Sequence, residues 1–236
     1  MGFLLPSTDG ENMAGKSLFP PPELADENGI VAVSAEIHPV MLQDAYRHGL
    51  FPWPFGEAYD VIPWCAPLMR GVIPMKEFHI PRSFQREMKK MDFTCTVDQD
   101  FSAVITACAQ ASRPDQEGTW ITGKVIKAYC SFHKMGYAHS FETRDAEGHL
   151  IGGLYGISVG RIFCGESMFF KVSGASKFAF VKMAEILASK GVVLIDTQMV
   201  TSATRAFGAR EIPSARYIDL LKKYGGEPLD FSDVSR

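Results

Sequence analysis

A chain of 236 residues can hold one large domain or two small ones, and an apolar content of 46% supports a full hydrophobic core. The formal net charge of −3 excludes a protein coated throughout in nucleic acid, while leaving room for a local basic patch. The five cysteines are odd in number and widely spaced, with no C-x-x-C, which argues against a disulfide framework or a zinc site and suits a reduced, cytoplasmic setting.

Met1 to Pro6 has no basic region ahead of a long apolar core, so no secretory signal is expected. No apolar run approaches the roughly 20 residues of a membrane span, so a soluble cytoplasmic protein is expected. Residues 1 to about 34 are rich in Pro, Gly, Asp and Glu and read as loop. Pro39 to His48 reads as a helix, with Pro in its first turn and Gly49 as its stop. The following Leu50-Phe51-Pro52-Trp53-Pro54-Phe55 interleaves large apolar residues with prolines and predicts no regular element. It is either a rigid core plug or a rigid aromatic platform, with composition favouring the plug. Three prolines and a glycine from Pro63 to Pro74 mark a crossing between units, which places a domain boundary near residue 73.

Ser83 to Lys90 predicts a helix carrying Arg82 and Arg86 four residues apart on one face. Those residues are either a solvated face or a phosphate-contacting patch. Helices are expected over Phe101 to Gln110 and from about Lys124 to Met135. Three strands, Ala138 to Thr143, His149 to Val159 and Arg161 to Phe169, form an antiparallel meander through two glycine-containing turns. A helix from Ala175 to Lys190 shows an apolar stripe, and Thr201 to Phe207 and Ser214 to Tyr224 close the chain as helices. The pattern is that of an α+β protein with a mixed, largely antiparallel sheet flanked by helices.

Gly191 to Gln198 reads as a buried strand that ends in polar residues. Strand alternation puts Asp196 and Gln198 on one face, and a carboxylate beside an amide at the end of an apolar run needs polar partners. They are either satisfied strand-end residues or the wall of an active site. Glu166 in Gly165-Glu166-Ser167-Met168-Phe169 is likewise an acid in an apolar strand, which must be paired or carry a shifted pKa. The nucleophile-elbow pattern fails at Phe169, Gly152 to Gly156 lacks the residues of a phosphate loop, and the six histidines show no metal-ligand spacing. Lys171 to Ser176 opens a helix after a strand; it is a loose echo of the pyrophosphate loop of coenzyme A-dependent acetyltransferases, or a helix cap by Ser173 or Ser176.

Eight stretches in order resemble the leucyl/phenylalanyl-tRNA–protein transferases. They are Gly49 to Trp53, Gly118 to Thr122, Gly136 to Glu142, Gly152 to Gly156, Gly165 to Phe169, Ala175 to Lys177, Ile195 to Gln198 and Gly208 to Pro213. The resemblance implies a small N-terminal domain, residues 1–72, on a GNAT-like catalytic domain, residues 73–236. It implies transfer of Leu, Phe or Met from an aminoacyl-tRNA to the α-amine of a protein beginning with Arg or Lys, a mark for N-end-rule degradation. No cofactor, metal or membrane is implied.

By the same resemblance Trp53 and Trp120 hold the 3′ adenosine. Leu154, Met168, Phe180, Met183 and Ile195 line the pocket for the aminoacyl side chain, and Arg82 and Arg86 meet the acceptor stem. Glu166, Asp196 and Gln198 are catalytic: Gln198 orients the attacking amine, or is its base, while Asp196 and Glu166 hold the acceptor's positive group and help pass its proton. An ideal strand points Ile195 away from Asp196, so a twist or bulge is required for both to line one site. The chain departs from the family pattern at Pro63 to Arg70, Thr197, Ala203 and Ala206-Phe207. The alternatives are a coenzyme A-dependent GNAT acetyltransferase and a non-catalytic tRNA- or degron-binding module.

Overall fold

The computed structural model describes residues 3–4, 17–54, 61–111 and 119–234. Phe55 and Gly118 of the sequence motifs lie outside these. The strands are β1 (Phe3–Leu4), β2 (Ile30–Ser34), β3 (Phe51–Pro52), β4 (Ile62–Cys65), β5 (Met69–Pro74), β6 (Thr94–Val97), β7 (Ala138–Arg144), β8 (Leu150–Val159), β9 (Ile162–Phe170), β10 (Leu194–Gln198) and β11 (Arg210–Pro213). The helices are α1 (Pro39–Arg47), α2 (Arg82–Met88), α3 (Phe101–Gln110), α4 (Gly123–Lys134), α5 (Ala175–Ser189), α6 (Ser202–Arg205) and α7 (Ser214–Tyr224).

Seven strands form the main sheet in the order β11-β5-β10-β9-β8-β7-β6. Every neighbouring pair is antiparallel except β9 and β10, which run parallel and are joined by the crossover helix α5. One face packs against α1, α3, α4 and α7; the other is covered chiefly by α5, with Phe84 of α2 and Phe207 just after α6. With helices on both faces, the central strands are buried on both sides, which explains the near-continuous apolar run of β8. Gly152 permits the tight contact between sheet and α5: a Cβ there would stand 2.6 Å from that of Ala175. The expected α+β class with a largely antiparallel sheet is the observed one.

A second sheet, β1-β2-β4-β3, holds the N-terminal segment. Two expectations fail here. Residues 30–34 are not loop but β2, and the proline-rich stretch contains β3, a two-residue strand. Pro52 is tolerated because β3 lies at the sheet edge. Leu50 and Phe51 are buried as a core plug, whereas Trp53 keeps part of its surface exposed. Residue 73 falls inside β5, so the main sheet itself begins before the expected boundary.

The helix α5 is not capped by a serine side chain; its N-cap is Gly174 in the left-handed region at φ 82°. None of the five cysteines is in a disulfide. His139 is buried with Nδ1 2.7 Å from Asp98, and His133 Nδ1 meets the Ala138 carbonyl, both structural roles. Among the described residues no helix is long and apolar enough to cross a membrane.

Candidate active site

Two irregularities at the same level of the sheet open the site. In β9 the step from Gly165 to Ser167 opposes a single step on β8, so Glu166 is the extra residue of a bulge. In β10 the step from Asp196 to Gln198 opposes a single step on β5, and Gln198 adopts a left-handed φ of 55°. The parallel pairing of β9 and β10 ends at Asp196 and Cys164. Beyond it the two strands part, and a cavity of 150 Å³ occupies the gap.

Glu166 and Met168 from β9 line this slot, with Leu154 from β8, Phe180 and Met183 from α5, and Thr197 and Gln198 from β10. Four of the five residues expected to receive the aminoacyl side chain therefore share one apolar wall. Ile195 does not. It is fully buried in the core beneath α5 and lines no part of the slot. The bulge comes after Asp196, too late to redirect Ile195 toward the slot.

Asp196 is displaced from its expected place as well. Alternation predicted that it would share a face with Gln198, but the bulge breaks the period, and its fully buried carboxylate does not line the slot. Arg70 Nε donates to Oδ1 at 2.9 Å and Arg70 Nη2 to Oδ2 at 2.7 Å, a bidentate pair. The Tyr217 hydroxyl donates to Oδ2 at 2.7 Å, and the Gln198 backbone N–H donates to Oδ1 at 2.9 Å. Arg70 also donates to the Gly49 carbonyl and lies between the rings of Phe51 and Tyr217, 4.7 and 4.5 Å from their centroids. Burial works against the Arg70 charge, but Asp196, Tyr217 and Cys164 together raise the guanidinium pKa further.

Glu166 and Gln198 do meet: Gln198 Nε2 donates to Glu166 Oε1 at 3.3 Å. The other carboxyl oxygen accepts from Tyr129 at 3.3 Å, whose hydroxyl lies 2.6 Å from that of Tyr46. Burial pushes the Glu166 carboxyl up to about 8, with the Asp196 charge adding to the rise and the tyrosine hydroxyls opposing it. Burial also holds Tyr46 and Tyr129 well above the usual phenol range.

Sequence reasoning missed Arg70, Tyr46, Tyr129 and Tyr217. Arg70 carried a usable signal: a cation at the head of the apolar run Gly71-Val72-Ile73 needs a buried anion, and Asp196 needs a buried cation. The tyrosines carried none, because nothing local distinguishes them from other amphipathic helix residues.

The two expected adenosine-binding tryptophans, 67 positions apart in sequence, stack on each other with centroids 6.1 Å apart and planes 11° from parallel. Trp120 is only 6% exposed, so its face is given to Trp53 rather than to solvent. Arg82 and Arg86 are both exposed on α2, which packs through Phe84 against Phe207.

The family model described as Leucyl/phenylalanyl-tRNA protein transferase matches residues 72–222. A leucyl/phenylalanyl-tRNA–protein transferase of Anaeromyxobacter sp. (strain K) is 43% identical over 210 residues, 89% of each chain. The protein belongs to this family. A relative with the same name from Pseudomonas entomophila (strain L48) is 44% identical over 212 residues, 89% of this chain and 92% of that one. Among solved structures, a GCN5-related N-acetyltransferase from Sphaerobacter thermophilus covers 81% of this chain and 60% of its own at 14% identity and a TM-score of 0.40, too distant to carry an argument. Membership makes the chain an aminoacyltransferase with aminoacyl-tRNA as donor, and it decides against both the acetyltransferase and the non-catalytic alternatives.

Proposed function

We propose that the enzyme moves Leu, Phe or a similar unbranched-at-Cβ residue from its tRNA to the N-terminal α-amine of a protein beginning with Arg or Lys, marking it for N-end-rule degradation in the cytoplasm. The observation that carries this reading is the slot between β9 and β10, with an apolar wall of Leu154, Met168, Phe180 and Met183 and the joined Glu166 and Gln198 at its edge. Burying a Leu or Phe side chain there contributes about 1.5–3 kcal/mol. Met168 and Met183 adapt to either shape.

In this reading the acceptor amine attacks the ester carbonyl carbon. The C–N bond forms, the bond to the ribose oxygen breaks, and that oxygen takes up a proton. Gln198 Nε2 is held by Glu166, which leaves the amide oxygen to accept from the attacking amine and aim its lone pair. An α-amine has a pKa of about 7.7–8.0, so a Glu166 carboxyl near 8 exchanges a proton with it at little cost. An acceptor Arg or Lys side chain beside Glu166 favours its ionised form. Asp196, sealed behind Arg70, serves as a positioning residue for the Gln198 backbone. Trp53 offers its exposed part to the 3′ adenosine, backed by Trp120, and Arg82 and Arg86 meet the acceptor stem. We place the junction of the two domains at the turn between β4 and β5, near residues 66–68.

Gln198→Ala tests the central role. Transfer of leucine onto an Arg-initiated peptide is expected to vanish while binding of a 3′-aminoacyl-adenosine analogue persists; undiminished transfer overturns the assignment. Parallel assays on Arg-, Lys-, Asp- and Glu-initiated peptides identify the acceptor.

A further inference from the structure

A second, larger cavity of 540 Å³ adjoins the slot and shares three residues with it, Met168, Phe180 and Thr204. Its size lies in the range of about 300–1,000 Å³ usual for ligand sites, whereas the 150 Å³ slot suits one side chain. The walls are largely aromatic and aliphatic: Phe169 and Phe170 at the end of β9, Phe180 from α5, and Ala203 of α6 with Phe207. Phe170 is 64% exposed at the rim, and Lys177 lines the cavity while its ammonium lies 5.7 Å from the centroid of the Phe84 ring. The aminoacyl group does not account for this space, because its side chain and its ester are placed in the slot beside Gln198.

The acceptor is a polypeptide, and its second residue has to leave the site somewhere. In an extended chain successive side chains point to opposite faces. Glu166, the partner proposed for the first side chain, leans toward Tyr129 of α4 on one face of the sheet. Most of the larger cavity's lining comes from α5, α6 and Phe207, with Phe169 and Ala111 belonging to the α3 side. With the first side chain at Glu166, the second points away from it, toward Met168, Phe180 and Thr204, the residues that the slot shares with this cavity. We propose that the larger cavity is a subsite for the second side chain of the acceptor, selecting large apolar or aromatic residues and disfavouring Lys and Arg, for which the described lining offers no carboxylate. This rests on the acceptor reading given above.

The test compares Arg-Phe-, Arg-Gly- and Arg-Lys-initiated peptides that are otherwise identical, with leucyl-tRNA as donor. Arg-Phe is expected to exceed the other two in kcat/KM by about tenfold, mostly through KM, from burial of the second side chain. Ala203→Phe fills the cavity from an exposed position on α6, so folding is not at risk, and thermal unfolding verifies this. It is expected to bring the Arg-Phe to Arg-Gly ratio close to one, and Phe170→Ala to lower it from the opposite wall. Equal kcat/KM for the three peptides with the unaltered enzyme overturns the subsite. So does an Ala203→Phe variant whose loss falls on the affinity for the aminoacyl-adenosine analogue, which would assign the cavity to the donor. No transfer to any Arg-initiated peptide refutes the acceptor reading itself, a result separable from indifference to the second residue.

Discussion

Replacing Arg70 with methionine removes one half of the ion pair behind the site while keeping most of the side-chain volume. Arg70 and Asp196 are 1% and 0% exposed, so neither charge has water to fall back on. Leaving one member of a buried pair uncompensated costs about 3–5 kcal/mol. In a protein of this size each kcal/mol lowers the midpoint of thermal unfolding by about 2–4 °C, so a fall of about 6–20 °C is expected. The function should suffer as well. Asp196 receives the Gln198 backbone N–H, and Gln198 sits at a left-handed φ that neighbouring contacts must hold. Transfer is expected to drop at least tenfold in kcat, with donor KM little changed, because the apolar wall of the slot is untouched. The double replacement Arg70→Met with Asp196→Leu removes both charges and should recover much of the stability but none of the activity. Calorimetry and single-turnover transfer on the three proteins read out both effects. A single variant that unfolds within about 2 °C of the parent and transfers at the parental rate would show that the pair neither stabilises the fold nor positions Gln198.

Glu166→Gln should change how stability depends on pH. The folded carboxyl sits at about 8 against an ordinary 4.5, so its contribution to stability is full below pH 4.5 and is lost as the pH rises through 8. The variant has no such loss and should gain on the parent in midpoint temperature across that window; parallel curves would refute the shift. Trp53→Ala should weaken a 3′-aminoacyl-adenosine analogue by about 1–3 kcal/mol in a titration, the usual worth of base stacking on an aromatic ring. Equal affinity would remove Trp53 from the adenosine site. Gly71→Ala places a Cβ 2.5 Å from the backbone of Met199, just past the β10 bulge. Overpacking of about 1–3 kcal/mol is expected, together with a loss of transfer, measured by urea unfolding and kinetics.

Much of this protein was legible in its residues taken in order. The helices α3 and α7 match the expected spans, and the β7–β8–β9 meander is displaced by no more than a residue at each end, because apolar period and glycine turns are local properties. The polar ending of β10 and the lone acid in β9 marked the strands around which the slot is built. Pairing was not legible. The strands β2, β3 and β4 are short, two of them contain proline, and they exist because each finds a partner far along the chain. Nor could sequence place the two bulges, since a bulge is defined by the strand opposite it. The two bulges brought Gln198 to Glu166, while Asp196, ahead of the β10 bulge, stays in the grip of Arg70, 126 positions earlier. Composition and motif order determined the family and the materials of the site. Which of two neighbouring polar side chains faces the slot, and which is locked behind it, was decided only by how strands distant in the chain lie side by side.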